Sequence, residues 1–308
     1  DLPRVTLLVA AYNEADVLDE KVENSRALDY PSDKLQIAFV LDGTSDDSPH
    51  RLAKHDDVTV FFKPERRGKS AAIQRVMPLL ESDVVVFSDA NAMYRPDAIR
   101  RLVAHYADDS VAMVSGEKRV LGGGEGLYWR YENRVKQAES RLHSALGGVG
   151  EIISVRRDRF AAPPEGAIIE DFHMVMHAIE AGWRHVFEPA AISEEEPSLS
   201  AADDLERRTR IAAGGFQSSL HFRHMLNPLR FGWIAVAFGS HRVMRWVVVP
   251  ALLWAVLPLS AAALAVMGSP LFMAAAAVQA GIIATVLLNL PPLGRVHRAF
   301  HFLYPVSY

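Results

Sequence analysis

Residues 83–91, Asp83-Val84-Val85-Val86-Phe87-Ser88-Asp89-Ala90-Asn91, constrain the fold of this chain most. A β-branched apolar run that stops abruptly in small and acidic residues reads as a strand buried on both faces. In an open α/β sheet, ligands sit beyond the carboxyl ends of the strands, which is where Asp89 and Asn91 stand. Strand alternation sends both side chains to one side and turns Ala90 away. Two oxygen donors so close together suit a hard divalent cation that itself holds phosphates. A plain strand-ending turn is the competing reading, since Asp and Asn favour turns.

The same pattern recurs upstream. Val5–Ala11 is a buried-strand run followed by Tyr12-Asn13-Glu14, and residues 15–28 have helical apolar spacing. Leu35–Leu41 is a second strand, ending in Asp42-Gly43-Thr44-Ser45-Asp46-Asp47. Val58–Phe62 is a third, followed by Arg66-Arg67-Gly68-Lys69-Ser70 and a helix reaching about Leu80. Strands alternating with helices specify an α/β fold with a mainly parallel sheet covered on both faces. Asp42 could accept hydrogen bonds from a base or ribose, Tyr12 could stack on a base, and Lys69 at a helix start could meet phosphate. Surface turn chemistry competes for each residue taken singly. Gly68-Lys69-Ser70 is not a P-loop, because Lys63 stands where that motif requires glycine.

Val111–Ser115 is a further strand, Gly122-Gly123-Gly124 a loop, and residues 128–142 a long helix whose first turns carry Tyr128, Trp129 and Tyr131. Core packing is the preferred reading of these aromatics. Gly147-Gly148-Val149-Gly150 leads into another strand at Ile152–Val155. Glu170-Asp171 opens a helix over 173–181, where Asp171 is either a helix cap or a general base. His173 and His177 are spaced like zinc ligands. The run His-Met-Val-Met-His lacks the glutamate of a zinc protease, so packing is the reading here. Glu194-Glu195-Glu196 reads as a solvated loop. Arg207, Arg208 and Arg210 lie on a basic helical turn ahead of Gly214-Gly215. Arg208 or Arg210 could neutralise a diphosphate, or the turn could form exposed pairs with glutamate.

Composition excludes several classes. Without cysteine there are no disulfides, thiolate nucleophiles or cysteine zinc sites. A net charge of -4 gives no support to nucleic-acid binding. Charge almost vanishes over 246–293, where Trp246–Met267 and Leu271–Leu293, joined at Gly268-Ser269-Pro270, read as a transmembrane helical hairpin. Arg242 and Arg245 flank one end and Arg295 and Arg298 the other, which by the positive-inside rule puts both flanks and the charged α/β part in the cytoplasm. No cleavable signal peptide is seen, and both termini read as trimmed, with 246–308 ending in a truncated segment.

Taken in order, Ala11-Tyr12-Asn13-Glu14, Leu41-Asp42-Gly43, Gly68-Lys69, Ser88-Asp89-Ala90-Asn91, Glu170-Asp171 and Arg207-Arg208-Thr209-Arg210 resemble the membrane-associated family 2 glycosyltransferases, of cellulose and hyaluronan synthase-like type. The resemblance implies a GT-A (Rossmann-like) fold, with 1–115 as the nucleotide-sugar half, 116–222 as the acceptor and catalytic half, and 223–245 as an interfacial segment. It implies donor contacts from Ala11, Tyr12, Asn13, Glu14, Asp42, Lys69, Asp89 and Arg208. It gives Mg²⁺ or Mn²⁺ to Asp89 and Asn91, and catalytic roles to Asp171, Glu170 and Arg210.

Asn91 replaces the family's usual second Asp of Asp-x-Asp. Arg207 and Ile211 replace the Gln and Trp of the processive synthases' Gln-x-x-Arg-Trp segment. In the resemblance the Asn91 change implies weaker metal binding, and the absence of that Trp, which contacts the acceptor sugar, points away from long-chain processive synthesis and toward the transferases of bacterial exopolysaccharide assembly. The implied activity is inverting transfer of a hexosyl or N-acetylhexosaminyl group from a UDP-sugar to a polysaccharide or glycolipid hydroxyl. It would occur at the cytoplasmic face of the bacterial inner membrane, in a multi-pass protein, with membrane lipid and polysaccharide-export subunits as partners. Transfer to a polyprenyl phosphate and a non-catalytic nucleotide-binding subunit are the alternatives.

Overall fold

The computed structural model of the protein describes residues 2–121, 127–196, 201–267 and 269–287. Gly122-Gly123-Gly124, Gly268, Arg295, Arg298 and the second apolar span beyond residue 287 lie outside them. Eight strands form one sheet: β1 (Val5–Ala11), β2 (Leu35–Asp42), β3 (Val58–Lys63), β4 (Val84–Asp89), β5 (Met93–Tyr94), β6 (Val111–Val120), β7 (Ile153–Arg156) and β8 (Arg184–Glu195). Their order is β3-β2-β1-β4-β7-β6-β8-β5. Strands β1 to β4 are mutually parallel, β6 runs parallel to β8, and β7 is antiparallel to both neighbours. The mixed, mainly parallel sheet matches the expectation.

Helices α1 (Ala15–Arg26), α2 (Ser48–Leu52) and α4 (Ala98–Ala104) cover one face, while α3 (Lys69–Val76) and α6 (Glu170–Glu180) cover the other. Strand alternation explains the two cores. Leu7, Val9, Phe39, Val84 and Val86 face the first, and Leu8, Val40, Val85 and Phe87 the second. Ala90 is buried in the first core, as the alternation requires. Asp89 shares the parity of Val85 and Phe87, so it emerges on the side of α3 and α6. The strand order reverses between β1 and β4, the position where open α/β sheets leave a crevice for ligands.

Beyond the sheet lie α5 (Leu127–Leu142), α7 (Ala201–His221), α8 (Pro228–Phe231) and α9 (Trp233–Ala237), then a π-helical run at Phe238–Val248, α10 (Val249–Met267) and α11 (Pro270–Leu287). This end of the chain departs from expectation. Arg242 is buried, donating to Leu146 O and to Glu132 Oε1 (3.0 Å), and Arg245 reaches Glu132 Oε2 at 3.1 Å. Both are engaged in one ion network with Glu132, which the sequence reading did not anticipate. Trp246 sits edge-on to Phe172 at 5.0 Å between ring centroids, so it belongs to the α/β core rather than to a membrane span.

The apolar stretch therefore loses its first turn to the domain, and α10 keeps 19 residues, about 28 Å at 1.5 Å per residue. Helices α10 and α11 pack against one another, but among the described residues no helix is long and apolar enough to cross a membrane. The transmembrane hairpin is not supported. Glu194 and Glu195 also differ from expectation. They complete β8 instead of forming a solvated loop, and Glu195 pairs with Lys118.

Candidate active site

The loops after β1, β2 and β3 are tied together by their own polar residues. Asn13 adopts a left-handed backbone (φ 53°), and its Oδ1 accepts from Ser45 N at 2.8 Å and from Thr44 Oγ1 at 3.0 Å. Asp46 Oδ2 accepts from Ala15 N at 2.9 Å, satisfying one of the free amides at the start of α1. Asp42 is buried, and its Oδ2 accepts from Arg67 N (2.8 Å) and Gly68 N (2.6 Å), which fixes the turn into α3. Gly43 (φ +66°) is required there, since a Cβ would lie 2.5 Å from Arg66 Cβ. Tyr12 is stacked under the Arg66 guanidinium at 3.8 Å. Tyr12 N also donates to Glu14 Oε2 (3.4 Å), and burial raises the Glu14 carboxyl pKa against that bond.

Lys69, the first residue of α3, forms an ion pair with Asp89 at the end of β4. Burial pulls the Lys69 ammonium down, but Asp89 more than offsets this and keeps it charged. Asn91 Nδ2 donates to Glu195 Oε1 at 2.9 Å, which leaves its Oδ1 uncommitted among the described residues. Glu195 pairs with Lys118, and Lys118 Nζ donates to Glu151 Oε1 at 2.7 Å. Burial alone would raise the Glu151 pKa, but Lys118 overrides it and holds Glu151 ionised. This relay from Asn91 to Glu151 was invisible in sequence because its members come from four separate segments.

Glu170 and Asp171 are the first two residues of α6; the cap position itself is Ile169, so the capping alternative for Asp171 fails. Two carboxylates in a first turn are favoured by the helix dipole. Glu170 Oε1 accepts from Ser70 N at 3.2 Å, joining the starts of α3 and α6. Asp171 is raised by burial and by the neighbouring Glu151, and lowered by its contact with the Phe172 amide and by Lys69. A Cβ at Gly150 would make only ordinary contact with Asp171 (3.6 Å to its Cβ), whereas one at Gly148 would lie 2.5 Å from Ile153 Cδ1, so Gly148 is the position where the loop requires glycine.

Helix α7 crosses this region at Gly214 and Gly215. Cβ atoms there would meet Ile169 at 3.0 Å and Trp246 at 2.5 Å, so the small pair is a condition of the crossing. That crossing brings Arg207, Arg208 and Arg210 to the cleft. Arg210 is exposed and close enough to Glu170 to lower its carboxyl pKa, although burial raises that group overall.

A single cleft of about 480 Å³ is lined by Lys69, Asp89, Glu170, Asp171, Arg208 and Arg210. Asp89 and Asp171, 82 positions apart in the chain, thus face one cavity. Glu151, Lys118, Lys136 and Glu132 share it and were not singled out from sequence. Ala11, Tyr12, Asn13, Glu14, Asp42 and Asn91 do not line that cavity; they build the loops beside it. The arrangement offers hard oxygen donors at Asp89 and Asn91, cations at Lys69 and in α7, and a carboxylate across the cleft.

Among solved structures, a mannosyltransferase from Pyrobaculum calidifontis, in complex with GDP-Man and Mn²⁺, superposes with a TM-score of 0.64 at 24% identity. That match covers 94% of this chain and 88% of the other, a likeness of fold. The beta-monoglucosyldiacylglycerol synthase of Trichormus variabilis is 28% identical over 249 residues, 75% of this chain and 53% of the relative. The poly-beta-1,6-N-acetyl-D-glucosamine synthase of Staphylococcus aureus is 23% identical over 271 residues, 80% of this chain and 63% of that protein. The chain spans about half the length of the first of these curated relatives. The model of the family described as "Glycosyl transferase family 2" matches residues 6–172, more than half of the chain. With strand-end acids, a basic helix start and a paired-carboxylate helix around one cleft, this chain belongs to the family 2 glycosyltransferases.

Proposed function

We propose that the enzyme transfers a sugar, with inversion at C1, from a UDP-sugar to a hydroxyl of a glycolipid or polysaccharide acceptor at the cytoplasmic face of a bacterial inner membrane. The observation that carries this reading is the one cleft shared by Lys69, Asp89, Asp171 and Arg210. Two of its relatives are named for a glucosyldiacylglycerol and for a poly-N-acetylglucosamine, a lipid-borne and a polymeric product. In this reading residues 1–115 hold the donor and 116–222 the acceptor.

The donor set fits a hard divalent cation, Mg²⁺ or Mn²⁺: the Asp89 carboxylate and the uncommitted Asn91 Oδ1 are oxygen ligands, with Glu195 orienting the Asn91 amide. Such a cation supplies charge neutralisation to the departing diphosphate. Lys69, which pairs with Asp89 in the free protein, is positioned to turn to a phosphate oxygen, and Arg208 and Arg210 supply further fixed positive charge. Asp42 shapes the donor loop through the Arg67 and Gly68 amides, while its buried Oδ1 faces Arg75 Nη1 at 3.6 Å.

Asp171 accepts the proton of the acceptor hydroxyl as that oxygen attacks C1 from the face opposite the diphosphate. Its raised pKa makes it a better proton acceptor than a solvated carboxylate, provided it is ionised. Glu170 holds the start of α3 in place through Ser70. Ile211 lines the acceptor side of the cleft with Trp129. These side chains present apolar surface rather than the single ring expected in a processive synthase.

The test is a screen of UDP-sugars for UDP release that depends on added Mn²⁺ or Mg²⁺, with lipid and oligosaccharide acceptors compared side by side. The reading requires release from at least one donor and its abolition in Asp89→Ala. Failure of every nucleotide-sugar to release its nucleotide would support the non-catalytic alternative instead.

A further inference from the structure

Three histidines meet on the side of α6 away from the cleft. His173 and His177 project from one face of α6, and His221 comes from the last turn of α7, 44 residues further on. One ring nitrogen from each lies within 4.8 Å of the others. The ring centroids are 6.2 Å apart for His173–His177, 5.1 Å for His173–His221 and 5.7 Å for His177–His221.

We infer that His173, His177 and His221 form a binding site for a borderline transition-metal ion of the Zn²⁺ class, which staples the end of α7 to α6. The observations beyond mere proximity concern the second nitrogens. His173 is 1% exposed; its Nε2 lies 3.1 Å from Ser218 Oγ, whereas its Nδ1 is buried with no hydrogen-bond partner among the described residues. A buried polar atom left unpaired costs free energy, and a metal bond is one way to recover it. His177 Nδ1 lies 3.6 Å from Glu180 Oε2, which leaves its other nitrogen for the ion. Each inner imidazole thus has an outer partner of the sort that orients metal-bound histidine.

The third ligand supplies access. His221 is exposed, so an ion can enter from solvent and its ring can rotate to close the site. Tetrahedral coordination with Zn–N bonds of about 2.0–2.1 Å brings nitrogens to about 3.4 Å apart, a small movement from the present spacing. Three imidazoles leave a fourth position for water, or for Glu180 after a rotamer change. Neutral nitrogen donors prefer Zn²⁺ or Co²⁺ over Mg²⁺ and Mn²⁺, which sets this site apart from the oxygen donors Asp89 and Asn91. Packing around Phe222, whose ring lies 5.1 Å from both His173 and His177, accounts for the position of the rings but not for the unpaired Nδ1.

The test uses Co²⁺ as the probe, with the whole chain held in excess Mn²⁺ to fill the oxygen site. The inference requires one saturating equivalent of Co²⁺, with the intense visible absorption of a tetrahedral nitrogen site, displaced by Zn²⁺. His221→Ala and His177→Ala should each weaken binding at least tenfold while circular dichroism stays unchanged. Asp89→Ala should bind Co²⁺ as the wild type does, and Ser218→Ala should weaken it by about tenfold. Wild-type affinity in both histidine variants, or no saturable signal, overturns the site. Neither result bears on glycosyl transfer at Asp89 and Asp171.

Discussion

Replacing Glu132 by Gln should destabilise the protein by about 3 kcal/mol and loosen the floor of the cleft with it. Glu132 lies on α5, almost fully buried, and receives Arg242 Nη1 at 3.0 Å, Arg245 Nη1 at 3.1 Å and His241 Nε2 at 3.2 Å. Arg242 also donates from Nε to Leu146 O at 2.7 Å, which anchors the turn before Gly147, Gly148 and Gly150. Gln keeps the volume and one acceptor oxygen but removes the charge, so the buried Arg242 loses its carboxylate. Breaking a buried pair from one side costs about 3–5 kcal/mol. The lower figure applies because Arg242 keeps Leu146 O and because Arg245 is a quarter exposed.

The assay is urea unfolding at pH 7, read as a midpoint shift at constant slope. Burial alone would raise the Glu132 pKa, but Arg242 and His241 override it and hold it well below the carboxylate range. Its contribution is therefore complete above the unfolded value of about 4.5 and is lost as pH falls through the lower folded value. The variant should lose less than the wild type on acidification from pH 5 downward. A Glu132→Gln/Arg242→Met pair should recover most of the loss, since exchanging a buried ion pair for apolar groups is often neutral. A single-variant change under about 0.5 kcal/mol, the ordinary range of inconsequential surface changes, would refute the account of this network.

His185 is fully buried between Ala145 O (2.8 Å) and Ser115 Oγ (3.0 Å), and burial pushes it down to about 4. The unfolded chain binds that proton below about 6.5. Stability should therefore fall by about 2 kcal/mol between pH 7 and pH 5, and His185→Gln should remove that slope in urea titrations. Gly116→Ala would put a Cβ 2.3 Å from Ala191 O on the neighbouring strand and should cost about 3 kcal/mol in the same assay. Asp89→Ala should weaken Mn²⁺-dependent UDP binding at least tenfold by calorimetry while leaving the melting temperature nearly unchanged, because Asp89 is a third exposed.

The parallel half of the sheet was legible because a buried strand with a polar end leaves a strong local pattern, whereas β5 and β8 at the other edge were not read as strands. β1, β2 and β4 each pair a β-branched apolar run with Asn13, Asp42 or Asp89 beyond it. The Glu170-Asp171 pair was legible for the same reason, standing between an apolar approach and a helix. Residues whose roles depend on long-range partners were not. Glu195 looks like one of three solvated acids until Lys118 is seen beside it. Arg242 and Arg245 look like charges flanking a membrane span, because their partner Glu132 lies more than a hundred residues earlier. His221 carries no local signal at all, and without it His173 and His177 are only two rings on a helix face.

The most direct measurement compares sugar transfer and UDP binding in Asp171→Asn, which keeps the side-chain shape and removes the basic carboxylate. General-base assistance is worth about 10²–10⁴-fold, so transfer should fall by that factor while calorimetric affinity for UDP with Mn²⁺ stays within twofold of the wild type. Transfer at the wild-type rate in that variant, with the fold intact, would contradict the assignment of Asp171 as the base.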